Sequence, residues 1–184
     1  MKEKIRRDGI MNETINTLLS RRSVRKFKSD PVPENLIDEI IKAGLAAPSA
    51  MNRQTSVIIA VTNKKMRDVI SAVNASVMGK QEGFDPFYGA PVILMVIAKN
   101  VPNAVYDGTA TMVNMLNAAA ALSLGSCWIH RAKEELELPF GKDFLKELGI
   151  EGDYIGIGHV ALGYVDGEIP APHEIQKNRV YRIK

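Results

Sequence analysis

The sequence holds one cysteine, one tryptophan and no apolar run near the length of a membrane span. Each shortage excludes a class of protein. A lone Cys127 forbids an intramolecular disulfide and any CxxC pair, which points to a reducing compartment and makes the cytoplasm the expected location. A helix crossing a bilayer needs about 20 apolar residues, whereas the longest strong run spans residues 92 to 98, so no membrane partner is expected. The opening residues are charged like the start of a signal peptide, but Asp8, Gly9, Asn12 and Glu13 follow where an apolar stretch would be needed, and export is not expected. His130, His159 and His173 have no HxxxH or His/carboxylate spacing, so no metal centre is expected. A Walker-type lysine loop and a GxSxG elbow are also missing.

What remains is an ordinary globular composition. With 184 residues, 46% hydrophobic and 24% charged, the chain suits one domain with one core. A chain of this size buries roughly 70% of its unfolded surface and needs no staple. Residues 1–11 are polar and mixed and read as an N-terminal arm, with Met11 as an alternative start, and residues 12–184 read as the domain. The net charge is +3, yet residues 1–28 hold nine Lys/Arg against three Asp/Glu. The positive excess is local, which points to an anion bound near that segment.

Apolar spacing places a helix after Pro33 through Leu36, Ile37, Ile40, Ile41 and Leu45, ended by Pro48. Residues 56 to 62 and 91 to 98 are continuous apolar runs, expected as central strands. A helix carrying Met66, Val69, Ile70, Val73 and Val77 lies between them, followed by a loop over 79 to 89. The longest helix is expected over 103 to 124, with Tyr106, Thr109, Val113, Leu116 and Ala120 along one face and Ala118 to Ala121 small enough for close helix approach, as a central or interface helix. A short strand over 126 to 130, a helical stretch broken near Pro139 and Gly141, and a strand over 155 to 165 complete the domain. This alternation alone reads as a parallel sheet. The tail after Gly167 should run extended over the surface or over a partner subunit.

Three segments could carry chemistry. Arg21-Arg22-Ser23-Val24-Arg25 offers planar guanidinium donors and a hydroxyl that match phosphate, although a basic helix end in solvent has the same composition. The connection 47–54, Ala-Pro-Ser-Ala-Met-Asn-Arg-Gln, crowds polar groups at the entrance to a strand, as an ordinary turn also would. Gly125 to His130 carries the only Trp and the only Cys on a strand; Trp128 could flank a flat ring, and Cys127 has no neighbouring base that would make it a nucleophile. Gly156-Ile157-Gly158-His159-Val160-Ala161 matches the G-x-G-x-x-A dinucleotide fingerprint in letters, but it reads as strand with no helix after it.

In this order the segments resemble the FMN-dependent nitroreductase family from about residue 12 to the C-terminus. The resemblance rests on residues 21–25, 47–54, Tyr88-Gly89-Ala90-Pro91, Leu124 to Ile129, Gly158 to Tyr164 and Lys177-Asn178-Arg179. It implies an α+β, nitroreductase-like fold with a central mixed, mostly antiparallel sheet surrounded by helices, in place of the parallel sheet. It also implies an intertwined homodimer with FMN at the subunit interface. By position, Arg21 or Arg22 with Lys177 and Arg179 would hold the FMN phosphate, and Ser23 the ribityl chain. Arg25 would sit by the pyrimidine edge as an electrostatic catalytic group near flavin N1 and O2. Pro48, Ser49 and Asn52 would come from the other subunit. Trp128, Ile129 and His130 would line one ring face, with a backbone N–H near His130 offered to flavin N5.

The implied activity is transfer of reducing equivalents from NADH or NADPH to an electron-poor acceptor, a nitroaromatic, a quinone or a similar small molecule, by a ping-pong mechanism. The alternatives are a non-catalytic or regulatory FMN-binding protein and a specialised flavin-modifying or aromatic-modifying member of the same family. A nucleic-acid partner is not expected, because Phe27 is the only aromatic in the basic N-terminal segment. Thr55-Ser56 follow Gln54 where many members carry Pro-Trp, which leaves the acceptor open.

Overall fold

In the computed structural model, which describes residues 12–172 and 174–184, the first described element is an exposed helix. Helix α1 (Glu13–Ser20) starts at Asn12, whose side chain accepts the Ile15 N–H at 2.8 Å and satisfies one of the free donors of the first turn. None of its residues is buried, and Ile15, Leu18 and Leu19 face outward. The arm expected at residues 1–11 lies outside the described residues, as does His173.

Helix α2 (Glu34–Leu45) follows Pro33 and buries Ile37, Ile40 and Gly44. It stops at Leu45 with Ala46 as its C-cap, before Pro48 is reached. Strand β1 (Ser56–Val61) leads to α3 (Lys64–Val77), capped by Asn63, and then to β2 (Val92–Lys99). Helix α4 (Ala104–Ala121), β3 (Gly125–Ile129), α5 (Ala132–Glu137), α6 (Pro139–Glu147) and β4 (Tyr154–Gly163) complete the order. The break between α5 and α6 falls at Leu138, just before Pro139, as expected from the sequence.

The sheet order is β1-β2-β4-β3 and every neighbouring pair is antiparallel. The parallel arrangement read from alternation alone is therefore wrong, and the α+β architecture implied by the family resemblance is right. The reason lies in the connection after β1. Fourteen residues of α3 carry the chain back by about 21 Å at 1.5 Å per residue. The loop 79–89 then returns it, so that β2 begins where β1 ends, with Val61 opposite Ile93. Periodicity registers the helix but not the return traverse.

Strand β2 is central and buried along all but its last residue. Ile93, Met95 and Ile97 pack with Ile70, Leu136 and Phe144 on the α3, α5 and α6 side, and Leu94 and Val96 pack with Ile40, Met112 and Met115 under α2 and α4. Strand β1, expected to be central, is an edge strand with Ala60 exposed. A continuous apolar run reports that both faces are covered, not both edges.

Helix α4 also differs from expectation. Of the five residues read along one face only Leu116 is buried within the protomer, and Tyr106 is 75% exposed. The buried stripe is Ala104, Asp107, Gly108, Thr111, Met112, Met115 and Ala119. This helix is apolar nearly all round, so periodicity offered two faces. The small residues chose between them: a Cβ on Gly108 would lie 2.5 Å from Ile157, and one on Gly44 would lie 2.6 Å from Met115 of α4. Residues 156–161 lie within β4, and no helix follows among the described residues, in line with the strand reading.

Candidate functional site

The basic segment docks on the free edge of β3. Ser23 forms a parallel bridge with Ser126, the Val24 N–H donates to the Ser126 carbonyl at 3.0 Å, and Phe27 bridges to Val165. Val24 and Phe27 are buried anchors, while Arg21, Arg22 and Ser23 are half-buried and Arg25 is exposed. Apolar residues at 24 and 27 thus hold the chain, and the polar residues between and before them stay available.

These groups gather around Cys127. Burial pushes its thiol pKa up, and the charges of Arg25 and Arg21 and a hydrogen bond with Ser23 oppose that shift without cancelling it. The thiol is neutral and buried, not a nucleophile. Arg22 folds back so that Nη1 donates to the Leu19 and Arg21 carbonyls, both at 2.7 Å, while its Nε is buried with no acceptor among the described residues. Among the described residues, Arg21, Arg22 and Arg25 have no carboxylate partner. The Arg21 and Arg25 guanidinium groups thus meet near Cys127 with no carboxylate among the described residues, and the neighbouring Arg22, folded onto the end of α1, keeps a buried donor without an acceptor there.

Trp128 is half-buried against the α2/α4 core, and its ring centroid lies 5.7 Å from that of exposed His130. Ile129 points to the opposite face and is buried there, so only its backbone can reach a ligand at this edge. Arg131 follows with φ +82°, a left-handed conformation unusual for a residue with a side chain.

The connection 47–54 is an exposed 3₁₀ turn (Ala50–Asn52) with Met51, Asn52 and Gln54 all left-handed. Pro48 and Asn52 are exposed, and the half-buried Ser49 Oγ accepts the Gln54 N–H at 2.9 Å. Strain of this kind persists only where the surroundings impose it. Here the imposing group is Asp107 of α4, buried, which accepts the Ala50 N–H at 2.9 Å and the Thr55 hydroxyl at 3.3 Å. Sequence reasoning missed Asp107; its signal was a lone carboxylate in the apolar stripe Ala104, Gly108, Thr111.

Lys177 and Arg179 lie on the tail, which is exposed throughout its described residues from Gly167 onward. Among the described residues no hydrogen bond or ion pair ties the tail beyond Asp166 to the body. One protomer therefore brings together Arg21, Ser23, Arg25 and Cys127, and Trp128 with His130. It does not bring Lys177 or Arg179 to them. A separate pocket of about 410 Å³, lined by residues including Val32, Thr62, Arg67 and Pro91, shares no residue with this corner.

A profile of the nitroreductase family matches residues 18–164. Among solved structures, the fold is similar to a nitroreductase with bound FMN from Bacteroides fragilis, with a TM-score of 0.84 and 27% identity over 95% of this chain and all of the other. A nitroreductase with bound FMN from Desulfitobacterium hafniense gives 0.86 and 26% over the same shares. A relative from Archaeoglobus fulgidus is 28% identical over 95% of this chain and 99% of its own length. One from Methanothermobacter thermautotrophicus is 32% identical over 63% of this chain. Both are named as candidate NADH dehydrogenase/NAD(P)H nitroreductases. An FMN reductase (NAD(P)H) from Bacillus subtilis is 36% identical over 48% of the chain. The alignments span 60% of the Methanothermobacter protein and 32% of the Bacillus one.

Proposed function

The chain belongs to the nitroreductase family, and from that premise we propose that it is an FMN-dependent oxidoreductase that takes reducing equivalents from NADH or NADPH and passes them to a small electron-poor acceptor such as a quinone or nitroaromatic. The observation that carries this reading is the basic corner of Arg21 and Arg25 beside Cys127 at the edge of β3, next to an Arg22 Nε that is buried with no acceptor among the described residues. Such a corner fits a phosphate ester. The two similar structures described above contain FMN.

When bound, FMN would accept hydride from the nicotinamide and release electrons to the acceptor, which is why the site needs no metal and no nucleophile. The chain's own residues bind and bias. Arg21 or Arg22, joined by Lys177 and Arg179, would hold the phosphate, and the Ser23 hydroxyl would bond the ribityl chain. Arg25 would lie by the pyrimidine edge and favour negative charge there. Trp128, the backbone of Ile129 and His130 form one wall. Pro48, Ser49 and Asn52 approach from a second subunit on a turn stiffened by Asp107. Donor and acceptor use one opening in turn, the donor leaving before the acceptor enters.

A homodimer is part of this reading. It is supported by apolar surface that one protomer leaves uncovered on α1 (Leu18, Leu19), on α4 (Tyr106, Val113) and on the tail (Tyr181, Ile183). A free, buried Cys127 suits the cytoplasm. The test is anaerobic. Protein loaded with FMN should lose its visible flavin absorbance on adding NADH or NADPH and regain it with a quinone or nitroaromatic. Bound flavin that stays oxidised with both nucleotides would overturn the reading.

A further inference from the structure

Three fully buried polar side chains from three elements meet beneath the turn that joins β3 to α5: Asn74 of α3, Glu135 of α5 and His159 of β4. Asn74 Nδ2 donates to the Glu135 carboxylate and to the His130 carbonyl, the latter at 2.8 Å. The other Glu135 oxygen lies 3.0 Å from His159 Nε2. Burying a carboxylate, an amide and an imidazole together is costly, and apolar side chains would fill the same space more cheaply. Nothing in the proposed function uses them.

The network touches the candidate site at one point, the His130 carbonyl. Both Nδ2 protons of Asn74 are engaged, one on Glu135 and one on His130, and its Oδ1 has no partner among the described residues. A backbone carbonyl can only accept, so the Nδ2 end of the amide must face His130, and Glu135 takes its second proton and holds it there. The peptide after His130 is trans and planar, with its C=O and N–H pointing in opposite directions. A carbonyl held on buried Asn74 therefore turns the Arg131 N–H away from the buried side. Among the described residues that N–H has no acceptor. The turn is gripped again two peptides on, where Gly156 approaches so closely that a Cβ would fall 2.1 Å from the Ala132 carbonyl carbon. Arg131 keeps its left-handed φ of +82° under these restraints.

We propose that Asn74, oriented by Glu135, is a positioning residue that fixes the His130–Arg131 peptide so that the Arg131 N–H is presented as a donor to flavin N5. The proposal rests on the FMN reading. Its role is geometric: Asn74 touches neither cofactor nor substrate.

The test compares binding of FMN with binding of 5-deaza-FMN, in which a C–H replaces the accepting nitrogen, by titration of the apoprotein. Wild-type protein should prefer FMN by about three- to tenfold, the worth of one net hydrogen bond. Asn74→Leu should lose that preference while keeping its affinity for 5-deaza-FMN. Equal weakening of both ligands would mark Asn74 as merely structural and overturn the proposal. If Asn74→Leu does not fold, Asn74→Ala, which removes the donors without adding bulk, answers the same question. Wild-type protein that binds both flavins equally overturns the proposal without any variant. Wild-type protein that binds neither flavin overturns the FMN reading itself.

Discussion

The carboxylate of Asp107, in the first turn of α4, accepts the backbone N–H of Ala50, 57 residues away in sequence, at 2.9 Å. A buried group on a rigid helix thereby holds a turn in which three residues are left-handed. Replacing Asp107 with Ala orphans the Ala50 N–H and the Thr55 hydroxyl. It should cost about 1–3 kcal/mol in denaturant unfolding and weaken FMN binding as the turn relaxes. Asp107→Asn, which keeps an acceptor oxygen for Ala50, should lose less of both.

The loop 79–89 depends on Asp85. Burial raises the pKa of this carboxyl, but the Arg67 guanidinium, the Phe87 and Gly89 N–H groups and the Ser71 hydroxyl outweigh burial and hold it below the ordinary carboxylate value. A depressed folded pKa gives stability that is fully present above the unfolded value of about 3.9 and is lost as pH falls through the folded value. Asp85→Asn should therefore be less stable than wild type by about 2 kcal/mol at neutral pH. That difference should shrink as pH drops below about 4, as read by urea unfolding across pH.

Gly156 opens the dinucleotide-like G-x-G-x-x-A string, and its role is packing. A Cβ there would lie 2.1 Å from the backbone carbon and oxygen of Ala132. Because backbone cannot yield as a side chain can, Gly156→Ala should cost about 3 kcal/mol or more in unfolding free energy. Gly158→Ala meets the flexible Met112 Sδ at 3.0 Å as well as the Trp128 indole, and it should cost less.

The tail has no polar tie to its own protomer beyond Asp166 among the described residues, so removing residues 168–184 should leave the circular dichroism of the body intact. In the proposed dimer, the same truncation should weaken self-association in sedimentation. Lys177→Ala with Arg179→Ala should lower FMN affinity by about tenfold or more, with the apoprotein still folded. An unchanged FMN titration would remove the tail from the site.

Much of this was legible in the sequence for physical reasons. The helix after Pro33, the break before Pro139 and the last strand, expected over 155 to 165 and found at Tyr154–Gly163, each carry a strong local pattern. Sheet order did not, because the return of the loop 79–89 leaves no periodicity, and only the order of motifs pointed to an antiparallel sheet. Arg21, Ser23 and Arg25 stood out because charge is concentrated there, and the structure gathers them at Cys127. Asp107 and Asn74 were invisible as site-shaping residues, since each acts on backbone 56 or 57 residues distant. Helix α4 misled because an apolar helix has no unique buried face until its neighbours are known.

The central claim is that the arginine corner beside β3 grips the phosphate of FMN, and the most direct measurement is the affinity of the apoprotein for FMN against riboflavin, which lacks only that phosphate. Charge-assisted hydrogen bonds of this kind should favour FMN by about ten- to a hundredfold, and Arg21→Ala with Arg22→Ala should erase most of the difference while leaving riboflavin binding unchanged. Equal affinity for the two flavins in the wild-type protein would contradict the account.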